Sequence, residues 1–131
     1  MTNEEFDNIA QEEFNAIPKR WRNLIANVAF LVADEPSAED LREAGVVNGT
    51  LLGFYKGIPF TERGIAYGIG LTLPDTITLY RSPILHVAAR DNVEVRSVIR
   101  ETLWHEIAHH FGFDEKEVEQ REDQGSNRFT V

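Results

Sequence analysis

The sequence predicts an α+β fold, and three observations carry that expectation. Apolar residues recur at helical spacing near the N-terminus. Three short runs further on, NVAFLVADE, LLGFYKG and TITLYRS, have the length and composition of strands. From Asp91 onward a helical pattern continues for about five turns.

In chain order, Thr2 followed by Glu5 has the spacing of a capping box, and Phe6, Ile9, Ala10, Glu13 and Phe14 then recur at helical spacing, apolar at all but one position. A first helix is expected from Asn3 to Ala16. Pro18 suits the first turn of a second helix running through Trp21, Leu24 and Ile25. The continuous apolar run from Val28 to Ala33 reads as a buried strand. Ser37 and Asp40 resemble another cap, starting a short helix that Gly45 terminates. The middle of the chain is too rich in glycine for a helix; LLGFYKG and TITLYRS read as strands and GIPFTERG as a loop. Asp91 and Glu94 fit a capping box for the long helix, whose buried positions are Val95, Val98, Ile99, Thr102, Leu103 and Ile107. Phe111 and Gly112 fit its end. Glu115 to Gln124 reads as a short final helix.

At 131 residues the chain fits a single domain, 1–131, that buries roughly two-thirds of its unfolded surface. A net charge of −9 repels phosphate backbones, so no nucleic acid is expected as a partner. Neither phosphate-binding glycine motif is present. No run approaches the roughly 18 apolar residues of a membrane span, and the acidic N-terminus lacks a signal-peptide pattern, so a cytoplasmic address is the default. With no cysteine, any metal site must use nitrogen and oxygen ligands.

The chemistry concentrates in ETLWHEIAHHFGFDE, Glu101 to Glu115, which places three of the four histidines within six residues. On a helix His105 and His109 lie about 40° apart around the axis and about 6 Å along it, so both imidazoles reach one cation. Glu106 lies roughly 100° further round than His105, beside such a cation and better placed as a base than as a ligand. Gly112 lets the chain reverse so that Asp114 approaches as a third, oxygen ligand. Two imidazoles and a carboxylate leave a fourth position for water, as in catalytic zinc sites. Zinc lowers that water's pKa to about 7, and Glu106 then serves as general base and acid in amide hydrolysis. The competing reading is a helix whose histidines are satisfied by backbone or water, but burying two histidines and two carboxylates without a compensating cation is costly. His110 points about 140° from His105 and is read as structural.

The segment HEIAHHFGFD carries the H-E-x-x-H-x-x-G run of the zincin signature, with an aspartate, Asp114, two positions after the glycine, and the chain resembles the short bacterial zincin-like metallopeptidases. The similarity extends through DEPSAEDL, LLGFYKGIPFTERG and LPDTITLYRSPI. The resemblance implies one zinc ion held by His105, His109 and Asp114, with Glu106 as general base. It also implies an α+β scaffold in which a small mixed sheet lies beside the active-site helix. A methionine turn of the metzincin kind is excluded, since the only methionine is Met1. Seventeen residues follow Asp114, too few for a second lobe, so the expectation for a peptide or protein substrate is either a narrow substrate range or a protein partner that completes the cleft. Tyr80, Arg81 and His86, from the strand and turn before the helix, are candidate oxyanion donors. Two further readings stand beside the peptidase: a non-catalytic module that metal merely stabilises for protein interaction, and a non-heme iron oxygenase, whose facial triad has the same ligand types.

Overall fold

The computed structural model describes residues 1–23, 25, 27–57 and 75–110. Its elements are α1 (Asn3–Asn15), α2 (Lys19–Arg22), β1 (Val28–Ala33), α3 (Ala38–Glu43), β2 (Gly53–Lys56), β3 (Asp75–Tyr80), α4 (Arg81–Asp91) and α5 (Val95–His110). All but the first residue of the predicted loop GIPFTERG, the helix end at Phe111 and Gly112, the final helix and Asp114 lie outside the described residues.

Local signals set the N-terminal half. The Thr2 hydroxyl accepts the Glu5 backbone N–H at 3.0 Å, satisfying a donor that the first turn of α1 leaves open. Ser37 and Asp40 form a reciprocal capping box at the start of α3, and Gly45, at φ 78°, follows its end. The second helix is shorter than expected, a single turn after Pro18.

The three strands lie in the order β1-β3-β2. β1 pairs parallel to β3 in the register Val28↔Asp75 to Ala33↔Tyr80, and β2 pairs antiparallel with Gly53 opposite Leu79 and Tyr55 opposite Ile77. β3 is therefore central, and its Ile77, Leu79 and Tyr80 are among the most buried side chains. β1, expected to be buried, lies at the edge of these three strands. Val28, Phe30 and Val32 pack against the core while Leu31, on the opposite face, is 50% exposed.

The segment after β3 departs from expectation. Instead of a turn, Arg81–Asp91 forms α4, because Pro83 falls in the first turn, where its missing N–H leaves no intrahelical bond unmade. Asp91 thus ends α4 and does not cap α5. Asn92, in the left-handed region at φ 53°, closes α4, and the carbonyl of Glu94 receives the first bonds of α5.

The core joins these layers. Phe6 and Ala10 of α1 pack with Ile77, Leu79, Ile84, Ile99, Leu103 and Ile107, and Trp21 meets Trp104 edge to face at 5.4 Å. The single polar residue of the apolar stripe of α1, Glu13, is 3% exposed. Its two oxygens accept from Arg100 Nε at 2.9 Å and Arg96 at 2.7 Å, so a charge on the core-facing side of α1 fastens it to α5. A second clamp is Arg81, which grips both oxygens of Asp7 and one of Asp34, tying α1, the end of β1 and the start of α4 together. Among the described residues no helix is long and apolar enough to cross a membrane.

Candidate metal and catalytic site

Two of the three expected ligands lie on the last turns of α5. The imidazoles of His105 and His109 have centroids 6.2 Å apart with ring planes at 75°. A zinc about 2.1 Å from a ring nitrogen lies about 3.2 Å from that ring's centroid, so at the tetrahedral angle two rings sharing an ion stand about 5.2 Å apart. The pair is about 1 Å wider than that, and sharing one ion requires the two rings to turn toward each other. Both rings are accessible, His105 partly and His109 openly, while Trp104, Ile107 and Ala108 face the core. Asp114 lies outside the described residues, and among those described no group of three or more potential ligands converges.

Glu106 is partly buried between this pair and the sheet. One carboxylate oxygen, Oε2, accepts the backbone N–H of Tyr55 at 3.2 Å. Burial pushes the Glu106 carboxyl above the usual range, against the opposing pull of the Tyr55 N–H and of positive charge on His109 and His105. A carboxyl raised by burial but still held by a donor has the setting of a group that takes up and releases a proton.

β2 reaches this carboxylate because Gly53 lets it approach α5. A Cβ at Gly53 would come within 2.7 Å of Thr102 Cγ2. Beyond Gly53, the Tyr55 side chain is held by Asp75 and His110. Its hydroxyl donates to Asp75 Oδ2 at 3.0 Å, its ring stacks on His110 at 3.8 Å between centroids, and His110 Nε2 lies 3.8 Å from the same Asp75 oxygen. His110 thus packs the end of α5 against the sheet. Sequence reasoning missed Tyr55 and Asp75, and no local pattern could have revealed them, since 51 positions separate Tyr55 from Glu106.

His105 and Glu106 close one end of a cleft of about 420 Å³ between α5, the end of α4 and the segment leading into β2. The three candidate oxyanion donors are engaged or lie elsewhere. Tyr80 donates its hydroxyl to Asp40 at 2.9 Å, and burial together with that carboxylate raises its pKa. Arg81 is committed to Asp7 and Asp34. His86 is exposed on α4 and lines a neighbouring depression that excludes both His105 and Glu106.

Comparison with known proteins agrees with this architecture. The chain shares its fold with a conserved hypothetical protein from Thermo thermophilus, at 23% identity and a TM-score of 0.54, over 84% of this chain and 94% of that one. No curated protein matches it. The family model described as zincin-like metallopeptidase matches residues 25–125, which include the β-sheet, the whole of α5 and the H-E-x-x-H string. The small mixed sheet packed on a long helix is the α+β arrangement expected of that group, and the chain belongs to the zincin-like metallopeptidase family.

Proposed function

We propose that the protein is a zinc-dependent peptidase in which His105, His109 and Asp114 hold one metal ion and Glu106 is the general base. The observation that carries this reading is the setting of Glu106: a partly buried carboxylate, fixed at one oxygen by a sheet N–H and placed beside the imidazole pair at the end of a cleft. Zinc, when bound, supplies Lewis-acid polarisation of the scissile carbonyl and of the attacking water.

The remaining work falls to the chain. Tyr55 N–H holds Oε2, so Glu106 takes the proton of the attacking water at Oε1 and returns it to the departing amine. Tyr80 N–H bonds to Leu52 C=O, which makes Gly53 and Tyr55 the non-hydrogen-bonded positions of the β2–β3 pair. The N–H and C=O of Gly53 therefore face away from β3, beside the cleft. Such groups favour an extended peptide substrate over a small molecule.

Zinc-loaded protein and its Glu106→Gln variant, assayed on a broad peptide library, test the assignment. Hydrolysis by the first and not by the second is expected. Equal rates from the two would overturn it, and zinc binding with no turnover by either would favour the metal-stabilised interaction module.

A further inference from the structure

The cleft that ends at Glu106 also reads as a recognition groove. It follows α5 from Ser97 to Glu106, nine helical rises or about 13 Å, the length of about four residues of extended peptide. Its volume of about 420 Å³ falls in the usual range for ligand sites. Aliphatic side chains form the walls: Leu51, Leu52, Val87, Val93 and Val98. Val93, between α4 and α5, is 47% exposed although apolar.

Among the described lining residues the carboxylates are the only fully charged side chains. Glu101, Asp91 and Glu106 line the groove, and none of its described lining residues is lysine or arginine. Asp91 is already paired with Arg90 at 2.9 Å, so the strongest uncompensated charge is that of Glu101, exposed on α5 one turn before His105.

We propose that this groove binds about four residues of substrate on one side of the scissile bond and selects segments that interleave aliphatic residues with lysine or arginine. The aliphatic side chains take the place of water against Val93 and its neighbours, and the cationic ones meet Glu101 at the rim. An acidic segment would bring like charges together there. The proposal rests on the peptidase reading for its position beside the reacting bond, but the groove's selectivity is a property of binding and is measured without turnover.

The experiment uses the full chain as its Glu106→Gln variant with added zinc. The probes are two fluorescent peptide series in which leucine and valine alternate with lysine or with glutamate, and binding is followed by anisotropy. The lysine series is expected to bind about two- to fivefold tighter, the worth of one exposed charge contact, and the difference should shrink with salt. Glu101→Lys should erase or reverse that preference, and Val93→Ser should weaken both series. Glu4→Lys, the same charge change at an exposed position of α1 away from the groove, should preserve it.

Equal binding of the two series, or a preference that Glu101→Lys leaves intact, overturns the groove. A preference that Glu4→Lys abolishes as well assigns it to net charge and overturns it too. Turnover by the zinc-loaded wild type separates the two readings. Selective binding without cleavage sinks the peptidase and leaves the groove standing, whereas cleavage indifferent to lysine or glutamate does the reverse.

Discussion

The backbone N–H of Tyr55 lies 3.2 Å from Oε2 of Glu106, so a sheet strand and the helix carrying the imidazole pair are joined at the carboxylate itself. A main-chain donor cannot rotate away as a side chain can. It fixes the orientation of the Glu106 carboxylate, and burial raises that carboxyl despite the bond.

That raised carboxyl has a consequence for stability. The unfolded glutamate titrates at its ordinary value of 4.5, and the folded one above it, so between the two the folded state holds a proton that the unfolded state has lost. The stabilising contribution of Glu106 is complete below the ordinary value and is lost as pH rises through the folded one. Metal-free protein, kept under chelator, should therefore lose thermal stability across this window. Glu106→Gln, which keeps an acceptor for the Tyr55 N–H, should flatten the profile there. Melting temperatures measured against pH decide it, and parallel profiles for the two proteins would contradict the assignment of the slope to Glu106.

Zinc should stabilise the fold through the histidine pair. At a hundredfold excess over Kd a ligand that binds only the native state adds about 2.7 kcal/mol. Wild-type protein should show a clear rise in Tm on adding zinc, and His105→Ala or His109→Ala should abolish most of it. His86→Ala, on exposed α4, should leave it unchanged. A rise that survives loss of both α5 imidazoles would place the metal elsewhere.

Much of this architecture was legible because its causes are local. The Thr2 cap, the Ser37 capping box and the bounds of β1 depend on residues within a few positions of one another. His105, Glu106 and His109 were legible for the same reason, since helical spacing alone sets their mutual placement. What escaped depends on partners distant in sequence. Whether β1 lies centrally or at an edge is decided by its pairing with Asp75–Tyr80, not by its own apolar run. α4 escaped because its buried positions, Pro83, Ile84 and Ala88, make a weak stripe and its proline imitates a breaker. Asp91 and Glu94 have the spacing of a cap, yet the left-handed Asn92 between them ends one helix before the next begins. The grip of Tyr55 on Glu106 belongs to the same class of long-range contact.

The oddly polar position of α1 makes a sharp prediction. Glu13 is almost wholly buried against Arg100, so Glu13→Ala leaves a buried guanidinium without its counter-charge and should cost about 3–5 kcal/mol. Glu12 also pairs with Arg96, but its side chain is 62% exposed, and Glu12→Ala should cost less than about 1 kcal/mol. Replacing both Glu13 and Arg100 with leucine should recover most of the loss, since the penalty lies in the orphaned charge. Urea titration of the three variants checks the order, and equal losses from Glu12→Ala and Glu13→Ala would refute it.

Gly53 links stability to the site. In Gly53→Ala the new methyl meets Thr102 Cγ2 at 2.7 Å, with Leu79 Cδ2 and the Thr78 carbonyl at 3.2 Å closing the other sides. Thr102 cannot turn its methyl away freely, because its hydroxyl donates to the Val98 carbonyl at 2.7 Å. The clash should push β2 off α5 at a cost of about 1–3 kcal/mol. Since Tyr55 lies two residues along the same strand, the displacement should also loosen its bond to Glu106 and lower any peptidase rate beyond what instability explains. Thr102→Ser removes the clashing methyl and keeps the hydroxyl, so adding it to Gly53→Ala should restore both quantities, a coupling that independent sites would not show. Simple additivity of the two substitutions, in stability and in rate, would mean that the close approach of strand and helix at Gly53 does not govern the site.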